Sequence, residues 1–242
     1  MGVTAAMRRR LRPLRPILGP IWRAIQRERS RIQKGDPAAI PNVVERFRYR
    51  ILDRVRRRPP IRPLRRHEIA ELAAEVPYYR PRRGYLEVAA RAARELIARH
   101  GLGSALELGP HLRPLIVGGD VMDLRIRPDL RAEGRRIAHN ATVVPWPIED
   151  RAYDLFVALQ VFEHLGTGQA DAFREVRRVA RHAILSLPID WQMDDPTNCH
   201  HGLTMERALG WFAPIAPSRI LVGTPGAKKR IIFVFENLPP PD

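Results

Sequence analysis

Residues 104–110 read SALELGP, and residues 139–165 read HNATVVPWPIEDRAYDLFVALQVFEHL. Each holds a short apolar run that stops on a polar or turn-forming residue. Ala105-Leu106 leads into Glu107-Leu108-Gly109, and the run from Asp154 to Leu159 leads into Gln160. Two further segments repeat the layout: Val121-Met122 ends on Asp123, and Ala141 to Val144 follows Asn140. Short apolar runs bounded by turn signals suit strands buried on both faces, the habit of parallel sheets. Ligands of an open α/β sheet bind outside the carboxyl ends of its strands, so these polar residues are expected along one edge, as the cradle of a nucleotide-type cofactor.

Helical patterns lie upstream of this block. His67 to Val76 places Ile69, Leu72, Ala73 and Val76 on one face, and Pro77-Tyr78-Tyr79-Arg80-Pro81 ends it. Tyr85 to His100 carries Leu86, Ala89, Ala90, Ala93, Leu96 and Ile97 at helical spacing, with Gly101 as its stop. Downstream, Thr204 reads as the N-cap of a helix that buries Leu209, Trp211 and Phe212. Arg219 to Val222 and Arg230 to Phe235 read as an antiparallel pair of strands closing the sheet edge.

Three segments carry a family resemblance: SALELGPHLRPL (104–115), the run 139–165 quoted above, and AFREVRRVARHAILSLP (172–188). The second is the most specific. It resembles the class I S-adenosylmethionine-dependent methyltransferases in its Asp-Ala-like pair, its Pro-aromatic-Pro turn, its Tyr-Asp opening of strand four and its Glu-His helix start. The likeness covers roughly residues 84 to 236 and implies a doubly wound, mostly parallel seven-stranded sheet of Rossmann-like type.

The resemblance further implies S-adenosylmethionine as cofactor, with roles for named residues. Glu107 would meet the cofactor's ammonium or orient loop amides; the competing reading is a buried acid that satisfies backbone. Gly109 keeps only one of the family's three loop glycines, and Pro110 removes an N–H donor. Asp123 would accept the ribose hydroxyls, although Asp120 and Asp129 stand nearby. Asn140, with Ala141, takes the place of the adenine-contacting Asp-Ala, since an amide oxygen can still accept. Gln160 would face the methyl-transfer site, and Tyr78 and Tyr79 would either wall the pocket or anchor a linker. His164 is the candidate general base, because imidazole titrates near neutral pH; the competing reading is structural packing.

Between Ile189 and Thr204 lies a polar loop with Asp190, Trp191, Asp194, Asp195, Asn198, Cys199, His200 and His201. Asp190, His200 and His201 are the candidate acceptor-binding residues. Two adjacent histidines with one cysteine match no standard ligand spacing, so no metal is expected.

The charge is distributed unevenly. Of the net +16, all resides in residues 1 to 66, which hold 20 Lys plus Arg against 4 Asp plus Glu, while residues 67 to 242 hold 22 of each. The chain accordingly divides into a Pro/Arg-rich basic arm (1–66), a helical lead-in (67–103) and an α/β domain (104–242). Such an arm is an electrostatic footprint for an anionic membrane surface, RNA or an acidic partner. It also carries clusters such as Leu14, Ile17, Leu18, Ile21 and Trp22, which suit an interfacial element. No run is long enough to span a bilayer, and arginines break any signal-peptide core. A single cysteine fits a reducing, cytoplasmic setting, with the arm able to bring the protein to a membrane periphery.

The function expected from this reading is methyl transfer to an oxygen or nitrogen of a small, lipid-linked or glycan acceptor. Two alternatives stand beside it: an RNA methyltransferase that uses the basic arm, and a non-catalytic scaffold that retains the fold. Against the first, strand four ends in Leu-Gln-Val-Phe and lacks the Pro-Pro-aromatic motif of base-amino methylating enzymes.

Overall fold

The computed structural model describes residues 60–241 except 225 and 227. The calls on the basic arm before residue 60 lie outside the described residues. Nine strands and four α-helices are found among those described, and seven of the strands form one sheet.

Its strands are β2 (Ala105–Leu108), β4 (Asp120–Asp123), β5 (Arg136–Ala138), β6 (Tyr153–Leu159), β7 (Ala180–Ile189), β8 (Arg219–Thr224) and β9 (Lys229–Phe235). They lie in the order β5-β4-β2-β6-β7-β9-β8. Pairing is parallel from β5 through β7, and β9 runs antiparallel to both β7 and β8. The mostly parallel seven-stranded sheet and its closing antiparallel pair are thus as the sequence reading expects. A small second ladder joins β1 (Arg62–Pro63) to β3 (Ile116–Val117).

The pleat sorts the core into two faces, because successive side chains of a strand point to opposite sides. Leu155, Val157, Ile184, Ile232 and Val234 belong to one cluster with α1 (Arg66–Glu75) and α2 (Arg83–His100). The intervening Phe233 and Phe235 face the other layer, where α3 (Gln169–Val179) and α4 (Met205–Phe212) lie. There Phe212 stacks edge-on against Phe233 and Phe235, at ring-centre distances of 5.3 and 5.2 Å, and Phe173 meets both Phe212 and Phe235. Aliphatic packing on one side and aromatic packing on the other follow directly from the alternation Ile-Phe-Val-Phe at 232–235.

Helix ends are fixed by local chemistry. α2 ends where Gly101 adopts φ 62°, a left-handed conformation that glycine takes without the Cβ penalty. α1 starts where the Glu68 carboxylate accepts from the Arg65 N–H at 2.8 Å. In α4, Thr204 accepts from the Arg207 N–H as the expected N-cap, but the residues buried are Ala208 and Phe212, with Leu209 and Trp211 only half-buried.

Residues 60–65, grouped with the arm on charge, pack into this unit. Ile61 and Leu64 are buried, and the Leu64 N–H donates to the Leu115 carbonyl at 2.8 Å. Glu68 ties the corner together, accepting two bonds from Arg62 at 2.6 and 2.9 Å and one from Arg113 at 2.9 Å. The Arg62 guanidinium beside it pulls the carboxyl down to about 2.

Candidate functional site

The chain enters the sheet at β2, builds outward through β4 to β5, then crosses back to place β6 on the other side of β2. That reversal opens a crevice at the carboxyl ends of β2 and β6, the position where doubly wound sheets bind ligands. Five residues singled out from sequence lie along this edge: Glu107, Gly109, Asp123, Asn140 and Gln160.

Glu107 is buried near the end of β2, and its Oε2 accepts from the Ile116 N–H at 3.2 Å. Burial pushes its carboxyl up to about 8. Gly109 follows with φ 63°, and a Cβ there would lie 2.8 Å from Val161 Cγ2. Both the left-handed backbone and the close approach of the loop after β6 demand glycine. Glu107, Gly109 and Pro110 form the floor of a recess.

Its opposite wall is a 3₁₀ segment, Pro77–Arg82, where the Pro-Tyr-Tyr-Arg-Pro stop was expected. The Tyr79 hydroxyl accepts from the N–H groups of Leu112 at 2.9 Å and Arg113 at 3.1 Å, so it holds the first loop directly. Tyr78 stacks on His111 at 3.8 Å, and the Arg82 guanidinium covers the Tyr78 ring at 3.7 Å.

Of three nearby acids, only Asp123 stands at the carboxyl end of β4, half-buried. Asp120 opens that strand, where it accepts from Arg135 at 2.8 Å and from the Tyr153 hydroxyl at 2.7 Å. Asp129 is an exposed partner of Arg127.

The third strand is not Ala141 to Val144 but β5, Arg136–Ala138, and Asn140 follows it instead of preceding one. The reason is local: Asn140 Oδ1 accepts from the Thr142 N–H at 3.0 Å and hydroxyl at 2.9 Å, which turns the chain. Asn140 therefore sits exposed beyond a strand end with its oxygen engaged, while Ala141 is buried and its carbonyl accepts from Trp146 Nε1 at 3.0 Å.

Gln160 ends β6 at φ 59°, with its N–H donating to Ser186. Its side-chain Nε2 is buried with no hydrogen-bond partner. A buried donor left unpaired costs about 1–3 kcal/mol, an expense that a bound acceptor would remove.

Beyond Gln160, the 3₁₀ turn Phe162–His164 meets the loop after β7. The Cys199 Sγ lies 3.3 Å from His164 Nδ1, and the His164 and His200 rings stand edge-to-face at 4.9 Å. Ligand atoms of His164, Cys199 and His200 fall within 4.8 Å of one another. Sequence spacing within the loop gave no such group, because His164 comes from a segment 35 residues away. Glu163 stands beside them; the sequence reading includes it in the Glu-His helix start and gives it no role of its own. Burial lowers the His164 imidazole and lowers that of His200, with His164 itself a further cause for the latter.

The other loop candidates are placed elsewhere. His201 Nδ1 faces the Met193 backbone, at 3.1 Å from its N–H and 3.0 Å from its carbonyl, so the ring braces the loop. Asp190 is exposed at φ 59°, with Lys229 Nζ 3.9 Å away.

No protein-family model matches the chain, and no curated protein matches it either. Among solved structures it is similar to the N-methyltransferase NodS from Bradyrhizobium japonicum WM9, at 14% identity and TM-score 0.46, over 64% of this chain and 96% of that one. It is also similar to the N-terminal domain of EvdMO1 with S-adenosylhomocysteine bound, at 15% identity and TM-score 0.41, over 62% and 79%. A third is an S-adenosylmethionine-dependent methyltransferase from Methanosarcina mazei, at 11% identity and TM-score 0.42, over 56% and 92%. The strand order, with its one antiparallel member, is what gives this chain the class I methyltransferase fold.

Proposed function

We propose that the protein is an S-adenosylmethionine-dependent methyltransferase acting on an oxygen or nitrogen of a small, lipid-linked or glycan acceptor. The observation that carries this reading is the buried, unpartnered Gln160 Nε2 at the carboxyl end of β6, next to the strand that leads into Gly109, with Asp123 one strand farther along the same edge.

The residues fit such a cofactor. Asp123 is an acceptor at the end of the second sheet strand, where two vicinal hydroxyls would be held. Gly109 leaves the backbone bare where a ligand must approach closely. Gln160 supplies the donor that the fold itself leaves unused. Pro77–Arg82 walls the recess, with Tyr78 stacked on His111 and the Arg82 guanidinium over the Tyr78 ring.

When bound, S-adenosylmethionine supplies a methyl group on a sulfonium, already activated toward displacement. The protein's part is then alignment of the acceptor atom and removal of its water. His164, whose imidazole burial lowers below its ordinary value, suits proton removal from an acceptor hydroxyl, and His200 beside it suits acceptor recognition. Asp190 and His201 serve the same loop, the first at its entry and the second as its brace. What supports this acceptor class is the exposed, polar character of the loop and a basic arm that would draw the protein to anionic surfaces.

Isothermal titration of the full chain with S-adenosylmethionine tests the reading. Binding in the micromolar range, on the order of −8 kcal/mol, is expected. The absence of heat and of any thermal shift at millimolar ligand would leave the fold as a scaffold.

A further inference from the structure

His164 and His200, which the methyl-transfer reading places at the acceptor, stand with two groups to which that reading gives no role, Glu163 and Cys199. Glu163 is the residue that sets the group apart. Its side chain has no exposure to solvent, and neither carboxylate oxygen accepts a hydrogen bond. His200 Nε2 stands 3.7 Å from its Oε1, too far for a hydrogen bond.

The tautomer of His200 follows from its other nitrogen. Nδ1 lies 2.8 Å from Asn198 Oδ1, an acceptor that also takes the His200 backbone N–H at 2.9 Å. Nδ1 therefore carries the proton, and Nε2 presents a lone pair toward Glu163. Two acceptors facing one another in a buried place need a cation or a proton between them. The imidazole is oriented as a metal-binding histidine usually is, with its distal N–H donated to a fixed oxygen.

One further donor pair stands at a matching distance, and Cys199 Sγ also lies 3.9 Å from His200 Nδ1. Cys199 Sγ is 3.3 Å from His164 Nδ1. Zinc bonds of about 2.3 Å to sulfur and about 2.0 Å to nitrogen, at tetrahedral angles, separate those two atoms by roughly 3.5 Å. The observed gap is therefore close to that of a ligated pair.

We propose that His164, Cys199 and His200, whose ligand atoms lie within 4.8 Å of one another, form a binding site for a zinc-class divalent ion, with Glu163 entering from the His200 side. Two imidazole nitrogens, a thiolate and a carboxylate make a donor set suited to zinc in preference to magnesium or calcium. The thiolate and carboxylate neutralise the ion's charge, which matters because the Arg230 guanidinium is buried nearby over the Trp191 ring at 4.8 Å. On binding, the Cys199 thiol gives its proton to solvent as the Zn–S bond forms, and a proton held by Glu163 leaves likewise. His164 is then a ligand through Nδ1, and deprotonation of an acceptor hydroxyl passes from the ring to polarisation by the ion.

Because the chain has one cysteine, alkylation by iodoacetamide reports Cys199 alone. The full chain, stripped with chelator, is alkylated with and without one equivalent of zinc, and cobalt is titrated in parallel. Zinc is expected to slow alkylation about tenfold or more, and cobalt to give a thiolate charge-transfer band that saturates near one equivalent. Glu163→Gln and His200→Ala should each weaken cobalt binding by about tenfold or more, with the thermal transition of the metal-free variants recorded to show that they fold. Equal alkylation rates with and without zinc in the wild-type chain overturn the proposal. So does protection that persists undiminished in both variants, since the thiol would then be binding zinc by itself. Neither readout involves S-adenosylmethionine, so failure here and failure of the methyl-transfer reading are separable.

Discussion

Gly109 carries two constraints at once, and a single substitution tests both. Alanine there must adopt φ 63° and place its Cβ within 2.8 Å of Val161 Cγ2. The backbone conformation alone costs about 1–2 kcal/mol. Gly109→Ala should therefore lower the thermal transition and weaken S-adenosylmethionine binding, and adding Val161→Ala should recover part of the stability while leaving the backbone cost. Asp123→Ala is expected to behave differently: unfolding is unchanged, and cofactor affinity measured by calorimetry falls by roughly 1–3 kcal/mol as two hydroxyls lose their acceptor. Among single residues, the strand-end positions were legible because an apolar run stopped by Gly, Asp or Gln marks its own boundary. The meeting of His164 with Cys199 was not. It depends on how the loop after β7 folds back over the turn after β6, which no local spacing encodes.

At the level of elements, β5 shows where sequence reading stops. Only Ile137 of its three residues is buried, whereas the run Ala-Thr-Val-Val at 141–144 has the look of a strand. The backbone's answer came from one Asn140 side chain that turns the chain at residue 142. α2 and its glycine stop were plain, since eighteen residues with a regular apolar face leave little room for another reading. The Glu68 corner, which joins β1, α1 and the first loop, gives a test of element packing. The carboxyl has an ordinary value of 4.5 and is lowered to about 2 in the fold, so its contribution is present above 4.5 and is lost as pH falls toward 2. Glu68→Gln should destabilise by about 1–3 kcal/mol at neutral pH, because Arg62 and Arg113 lose a charged acceptor. In denaturant titrations the gap between variant and wild type should close as pH falls through that window. Stability loss that is the same at both ends of it would remove the ion-pair account. On the other sheet face, Phe212→Ala should cost about 3–5 kcal/mol, since its ring is fully buried against Phe173, Phe233 and Phe235.

For the whole molecule, the burial of Ile61 and Leu64 moves the practical cut point. A chain beginning at residue 67 would lose β1 and the Glu68 corner, whereas one beginning at residue 58 keeps both. The truncation from 58 should unfold as the full chain does and bind S-adenosylmethionine equally. What should be lost is association with anionic liposomes or RNA, compared side by side over a salt series. Retention of both ligands by the shortened protein would remove the arm from that role. No helix among the described residues is long and apolar enough to cross a membrane.

The position of β9 bears on how the protein is made. The strand translated last of the seven is seated between two that precede it, β7 and β8. Until residue 235 has left the ribosome, β7 exposes an unpaired edge, and β8 has no neighbour to which it can zip. A nascent chain of this topology must therefore wait, open along that edge, and close like a drawer only once synthesis has passed it. Stalled or prematurely ended chains should then be the forms that chaperones capture, more so than full-length protein destabilised to the same degree.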